Sequence, residues 1–182
     1  SHTMLFLASI GPPAVEPLIQ ALSNPSYYVR SEAVYLLGQL ADNRALVPLV
    51  EAALVDPSML EPVMEILPAF PLSKEAEQRI LGGLRNPSWL TRKSALVLMT
   101  TTADPRFARP CRKALRDPHP TVAAGAAMCL ARQRSPQAIS TLEHTVRHPH
   151  HQVRCAVLAA LSSFAEPQHE PYLLKALDDD HY

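Results

Sequence analysis

The sequence predicts an all-α protein built from about five two-helix repeats, and three observations lead to that prediction. A motif that ends in Asn-Pro, Asp-Pro or His-Pro returns at intervals of 30 to 32 residues, and such a period indicates stacked structural units. Hydrophobic residues make up 47 % of the chain and aromatic residues 5 %, which favours packed helices over a β-sandwich. Glycine occurs only five times in 182 residues, too rarely for many tight β-turns. The prolines that mark the period are Pro25, Pro57, Pro87, Pro118 and Pro149.

Each copy is predicted to hold a first helix, a short turn, a second helix and a second turn. The copies fall at residues 14–44, 45–75, 76–106, 107–137 and 138–168, with a partial sixth copy at 169–182. We predict a single repeat domain over residues 5–182. The three residues before Met4 have the composition of a cloning remnant.

The first copy shows why its two segments should be helical. Apolar side chains in each segment recur at the spacing that places them on one helix face. Asn24 precedes a proline and should close the first helix, because that position disfavours the α conformation. Ser26 is predicted to cap the second helix through its hydroxyl. The predicted core positions are Val15, Leu18, Ile19 and Leu22, then Val29, Ala33, Leu36, Leu37 and Leu40.

The later copies follow the same template with one exception. The core positions of copies four and five are Val122, Ala126, Cys129 and Leu130, then Val153, Val157, Ala160 and Leu161. Copy two carries Pro62, Pro68 and Pro71. Because an interior proline removes a helix hydrogen bond, the second helix of copy two should be short or kinked near Leu67.

The pattern AVxxLxxAL-x-[ND]P-x-x-x-VR-x-x-A-x-x-LG resembles a HEAT repeat, most of all the short bacterial type named after phycobilisome lyases. The resemblance runs from about Leu7 to Asp180. It implies a right-handed α-α superhelix, a HEAT-like solenoid whose second helices usually line the concave side and contact the partner. A lyase-type activity is implied only by the family name, and no feature of the sequence is suited to a tetrapyrrole.

Charge is unevenly distributed along a chain whose formal net charge is zero. Residues 79–134 hold eleven basic and two acidic side chains. Four of the basic side chains share one stripe on the first helix of copy four, which the resemblance places on the convex side. One interpretation is that the stripe anchors a ligand, which is an acidic protein segment or a phosphate-bearing molecule. The other is that the stripe is a solvated face that keeps the chain soluble. The stripe comprises Arg109, Arg112, Lys113 and Arg116.

A nucleic-acid partner is the less favoured alternative. Zero net charge excludes a uniformly basic coat, and the segments on either side of residues 79–134 are acidic. No aromatic side chains alternate with the basic stripe for base stacking. A binder that relies on the phosphate backbone alone stays open as an alternative.

Equivalent arginines in copies one, three and five are predicted to have a structural role. Arg30, Arg92 and Arg154 should bond to acids or turn carbonyls of a neighbouring copy. Residues in the right turns to receive them are Asp56, Asn86 and Asp117.

Exposed aromatic side chains are the candidates for partner anchors. Tyr and Trp are enriched at binding hot spots because they offer a large contact area with few rotatable bonds. The predicted partner-binding set also includes two basic residues that follow Trp89 in the sequence, and the four residues of the copy-four stripe. The alternative is packing between repeats. The candidates are Tyr27, Tyr28, Tyr35 and Trp89, with Arg92 and Lys93 for charge steering.

No catalytic, cofactor or metal site is predicted. His144 and His148 have a spacing that can hold a metal, but no Cys or carboxylate completes a motif. Residues Ser31–Gln39 resemble the His-Glu helices of deoxyhypusine hydroxylase, a di-iron enzyme on HEAT-like repeats. The His positions of that family are Ser31, Lys93, Ala124 and Cys155 here, and the sole His-Glu pair, His169-Glu170, begins a first helix.

The cysteines and the hydropathy bear on location. An odd count of three cysteines without a CxxC pair argues against a disulfide framework,. Cys111, Cys129 and Cys155 are interpreted as small packing residues in a reducing cytoplasm. No apolar run is long enough to span a membrane.

Taken together, these features lead us to expect a cytoplasmic, non-enzymatic scaffold or adaptor that binds a partner protein, with a nucleic-acid-binding module or a lyase-type subunit as alternatives.

Overall fold

The computed structural model describes residues 11–164 and 170–177, and in them eleven α-helices occur without a β-strand. The all-α prediction is therefore confirmed. In chain order the helices are α1 (Val15–Ala21), α2 (Tyr27–Leu40), α3 (Leu46–Val55), α4 (Leu60–Ile66), α5 (Lys74–Gly83), α6 (Trp89–Thr102), α7 (Ala108–Ala114), α8 (Pro120–Gln133), α9 (Pro136–Thr145), α10 (His151–Ser162) and α11 (Glu170–Leu177).

These helices form two compact units that divide between Thr102 and Ala103. The first unit holds α1 to α6 and the second α7 to α11. The single repeat domain and its copy boundaries stay a prediction. The predicted residues 5–10, 165–169 and 178–182 lie outside the described residues, and so does His169.

Packing within each unit follows the repeat. In the first unit α1 packs against α2, α3 against α4 and α5 against α6, while α3 also contacts α5 and α2 contacts α4. In the second unit α7 packs on α8 and α9 on α10, with the broadest contact between α8 and α10. First helices thus lie beside first helices, and second beside second. This arrangement buries apolar side chains of each helix from α1 to α10.

Most of the predicted core positions are buried. Those of copies four and five are all buried, as are Val15, Leu18, Leu22, Ala33, Leu36 and Leu37. Ile19, Val29 and Leu40 are instead half-buried. These three lie at the margins of their apolar stripes, where contact with the neighbouring helix is incomplete.

A recurring turn joins the first and second helix of each copy. The N–H of Ser26 donates to Asn24 Oδ1 at 2.9 Å, and Asp56, Asn86 and Asp117 accept in the same way from the residue two positions on. The predicted Ser26 hydroxyl cap is wrong, because this serine at the start of α2 makes no side-chain cap bond. The Asx side chain two residues earlier forms the turn instead.

The second helix of copy two is short, as predicted. α4 has seven residues and is followed by a 3₁₀ turn at Leu67–Ala69, whereas α2 has fourteen. α4 also approaches α2 closely. A Cβ atom added at Gly38 would lie 2.5 Å from Ile66 Cγ2, so glycine is required where these helices meet.

The cysteine interpretation needs correction. Cys111 on α7 and Cys129 on α8 form a disulfide with their Cα atoms 6.3 Å apart, and Cys155 is free and exposed. Both paired residues are buried between α7 and α8. An odd cysteine count does not show which two cysteines helix packing brings together. Because two of the cysteines are paired, they no longer support the prediction of a reducing compartment. The cytoplasmic location stays a prediction.

Candidate functional site

The predicted partner-binding residues are divided between the two units. Tyr27, Tyr28 and Tyr35 lie on α2, and Trp89, Arg92 and Lys93 on α6, all in the first unit. The basic stripe belongs to the second unit, on α7 and the turn that follows it. One candidate set therefore lies in the first unit and the other in the second.

The tyrosines of α2 are exposed side chains on a second helix. Tyr28 is 81 % exposed and Tyr35 55 %. Seven residues separate them, which places both on one helix face two turns apart. Tyr27 contacts Tyr28 edge to face, with ring centroids 5.9 Å apart, and the Arg30 guanidinium lies 6.0 Å from the Tyr27 ring. Tyr27 therefore contributes to local packing, whereas Tyr28 and Tyr35 present their rings to solvent.

The residues on α6 differ from one another. Arg92 donates from Nη1 to the carbonyl oxygens of Asn86 and Pro87 at 3.0 and 2.9 Å, so its guanidinium is fixed on the preceding turn. Lys93 is exposed. Trp89 is 37 % exposed, which leaves part of the indole available to a partner.

The structural role of the equivalent arginines is confirmed at Arg30, with one correction. Arg30 Nη2 donates to Asp56 Oδ2 of the next copy at 2.9 Å. Its Nη1 donates to the carbonyl oxygens of Asn24 and Pro25 at 2.8 and 3.0 Å. Arg154 binds the carbonyls of the turn before α10 in the same way. These turns belong to the arginine's own copy, not to a neighbouring one, because the side chain reaches back only one helical turn.

Asp56 shows how this contact acts on a titratable group. Burial raises the pKa of its carboxyl, but hydrogen bonds from Ser58 and the charge of Arg30 outweigh burial and leave the pKa below its ordinary value. The side chain is therefore ionised in the native state at neutral pH.

The basic stripe forms one wall of an open groove of about 700 Å³ in the second unit. Residues of α9 and the following turn form the other wall, and the buried side chain of Leu115 lies between them. We call this site the basic groove. Its first wall is Arg109, Arg112, Lys113 and Arg116, and its second is Ser140, Thr141, His144, Thr145, Arg147 and His148.

The basic groove concentrates uncompensated positive charge. Across the described residues, the side chains of its four arginines and Lys113 make no hydrogen bond or ion pair, and no carboxylate lines the groove. Two exposed arginines elsewhere are paired instead: Arg79 with Glu51 and Glu75, and Arg44 with Asp42 and Glu16. The groove therefore offers several guanidinium groups that are suited to bidentate contacts with carboxylate or phosphate.

Two histidines lie on the second wall. Nδ1 of His144 is 2.6 Å from the Ser140 carbonyl oxygen, which is an acceptor, so this nitrogen carries its proton. Nδ1 of His148 accepts from the His150 N–H at 3.2 Å. Burial and the nearby His150 lower the pKa of His148. His148 is therefore a neutral residue of the groove at neutral pH.

Sequence reasoning missed the second wall. The repeat period held the signal, because residues 31 positions after Arg109, Lys113 and Arg116 are Ser140, His144 and Arg147. First helices of consecutive copies lie side by side, so equivalent positions meet across the groove.

Among the described residues there is no group of three or more His, Cys, Asp or Glu that could hold a metal. Nor is any of their helices long and apolar enough to cross a membrane.

Comparison with known families gives a match over most of the chain. The sequence pattern of HEAT repeats matches residues 3–60 and 108–182. Comparison with curated proteins gives no match.

Several solved structures are similar in part. Human deoxyhypusine hydroxylase in complex with glycerol is 18 % identical over 90 % of this chain and 89 % of that chain, at a TM-score of 0.47. A designed armadillo repeat protein in complex with the peptide (KR)4 is 19 % identical over 90 % of each chain, at a TM-score of 0.49. An engineered protein is 19 % identical over 88 % of each chain, at a TM-score of 0.42. At these values the structures carry no information on what the chain binds.

Proposed function

Because the chain belongs to the HEAT-repeat family, we propose that it is a non-enzymatic scaffold or adaptor that holds a partner protein on the face formed by its second helices. The observation that carries the proposal is the exposure of Tyr28 and Tyr35 on one face of α2. A large aromatic side chain in solvent contributes little to the fold, but it supplies contact area with few rotatable bonds when a partner covers it.

The second helix of copy three, α6, supports the same face in the first unit. Leu90 and Lys93 are exposed on α6, three residues apart and therefore on one side of the helix. A mixed apolar and cationic surface fits a partner with apolar anchors and acidic side chains.

The experiment replaces Tyr35 with a photo-crosslinking amino acid in native cells and identifies the protein that is captured. Val55 on α3 is 83 % exposed and provides the matched position on a first helix. We expect a protein that is captured from position 35 and not from position 55. Its affinity should then fall about tenfold or more for Tyr28→Ala combined with Tyr35→Ala. The same proteins captured at both positions, or unchanged affinity of the double variant, would contradict the proposal.

The proposal that the chain is not an enzyme has its own test. Metal analysis and an absorption spectrum of freshly purified protein should show neither a stoichiometric metal nor a chromophore. Iron in a fixed ratio to the chain would instead favour a di-iron activity.

A further inference from the structure

The basic groove has a charge arrangement that the fold does not require. Arg109, Arg112 and Lys113 lie at i, i+3 and i+4 on α7, and Arg116 lies in the turn that follows it. Like charges at these positions repel one another. Arg147 adds a fifth positive charge from the opposite wall. The described residues provide no acidic side chain in the groove to offset this repulsion, so an anionic ligand would relieve it.

The dimensions of the first wall select the form of the ligand. Within α7, four residues at a rise of about 1.5 Å place Arg109 and Lys113 about 6 Å apart along the helix axis, and Arg116 in the following turn extends the wall beyond them. An extended peptide of about three to four residues covers that wall, and its alternate side chains on one side are about 6.6 Å apart. Two or three carboxylates of such a segment can therefore contact the stripe at the same time, whereas one phosphate would reach only part of it.

The second wall adds polar groups suited to a peptide. Thr141 and Thr145 are half-buried there, and their hydroxyls donate to backbone carbonyls of α9, which leaves oxygen lone pairs available to N–H donors. No Phe, Tyr or Trp is among the lining residues. Base stacking, a main source of affinity for single-stranded nucleic acid, is therefore not offered by this surface.

We propose that the basic groove between α7 and α9 binds an extended acidic segment of a partner protein, with carboxylates on Arg109, Arg112 and Arg116 and a further contact to Arg147. The inference rests on the proposed function, since it assumes a protein partner. It adds a second docking surface, on first helices of the second unit, that is independent of the tyrosines on α2.

The test uses a fluorescent hexapeptide of alternating Asp and Glu as the probe, with anisotropy as the readout. The comparison probes are the same peptide with Asn and Gln, and a hexathymidylate. The groove variant is Arg112→Glu combined with Arg147→Glu, one change on each wall. The control variant is Arg85→Glu combined with Arg132→Glu, which changes the net charge equally at exposed residues that do not line the groove.

We expect the acidic peptide to bind and the amide peptide not to bind. Affinity for the acidic peptide should fall about tenfold or more in the groove variant and less than about twofold in the control. Circular dichroism should show the same helix content in both variants. Equal losses in the two variants would show a nonspecific charge effect, and the groove would be rejected. Tighter binding of hexathymidylate, or no binding of the acidic peptide at low salt, would also overturn the proposal.

The outcome separates this inference from the proposed function. Crosslinking from Tyr35 does not involve the groove. A captured partner together with a peptide that fails to bind would therefore support the scaffold proposal and reject the groove proposal. Peptide binding without a captured partner would support the basic groove and count against the face formed by the second helices.

Discussion

Arg30 on α2 reaches Asp56 in the turn of the next copy, and its Nη2 lies 2.9 Å from Asp56 Oδ2. Its Nη1 binds two carbonyls of the turn that precedes α2. One side chain therefore holds the turn of its own copy and connects it to the turn that follows. Arg30 is mostly buried at 18 % side-chain exposure, so water replaces these bonds poorly.

Replacement of Arg30 should destabilise the first unit. Arg30→Ala removes three charge-assisted hydrogen bonds, and we expect a loss of about 2 kcal/mol in the free energy of unfolding by urea denaturation. Arg30→Lys should recover little, because an ammonium group cannot match the planar fork that serves both turns. Arg85→Ala, at an exposed arginine, should change stability by less than about 0.5 kcal/mol. A loss for Arg30→Ala as small as that of the control would refute the structural role.

Asp56 should make stability depend on acid. Its pKa in the folded protein is below the ordinary value of 3.8, so the unfolded chain binds the proton more readily. The contribution is fully present above the unfolded pKa and is lost as the pH falls through the folded pKa. In Asp56→Asn the pH dependence of unfolding below about pH 4 should be flatter than in the wild type. Parallel stability curves for the two proteins from pH 5 to pH 2 would contradict this assignment.

Glycine at the end of α2 should be stabilising. Ala41 ends that helix in the left-handed conformation, with φ of 48°, and it is exposed. Left-handed backbone costs a residue with a Cβ atom roughly 1 kcal/mol or more relative to glycine. Ala41→Gly should therefore raise the unfolding free energy by about 1 kcal/mol. Ala124→Gly, inside α8, should lower it by about the same amount. Thermal denaturation of both variants checks the opposite signs, and a destabilised Ala41→Gly protein would count against the left-handed turn.

Gly38 should not tolerate a methyl group. In an ordinary helix Gly→Ala stabilises by roughly 1 kcal/mol, but here the new Cβ would overlap Ile66 Cγ2 and Cβ. Overpacking of this kind costs about 1–3 kcal/mol, so Gly38→Ala should lower stability overall. Adding Ile66→Ala should relieve the overlap, and a double-mutant cycle should show favourable coupling between the changes. Additive effects in that cycle would mean that α2 and α4 do not approach as closely as described.

Local features of the chain could be predicted from the sequence because their causes are local. A proline at a fixed period ends one helix and precedes the next, and apolar side chains at helical spacing select the buried face. Pro62 and Pro68 shorten α4 through hydrogen bonds that proline cannot make. The basic stripe could be predicted in the same way, since its four residues lie within eight consecutive positions of the chain.

Only the tertiary structure decided which surfaces meet. The second wall of the basic groove comes from residues 31 positions away, and Cys111 meets Cys129 because α7 packs on α8. At the start of α2, either the Ser26 hydroxyl or the Asn24 side chain could form the turn, and residue preference alone did not show that Asn24 does so. Contacts between helices follow from how each pair of apolar faces interlocks, and that fit involves side chains distant along the chain. The local pattern of prolines and apolar residues therefore determined the helices, whereas their packing determined the groove.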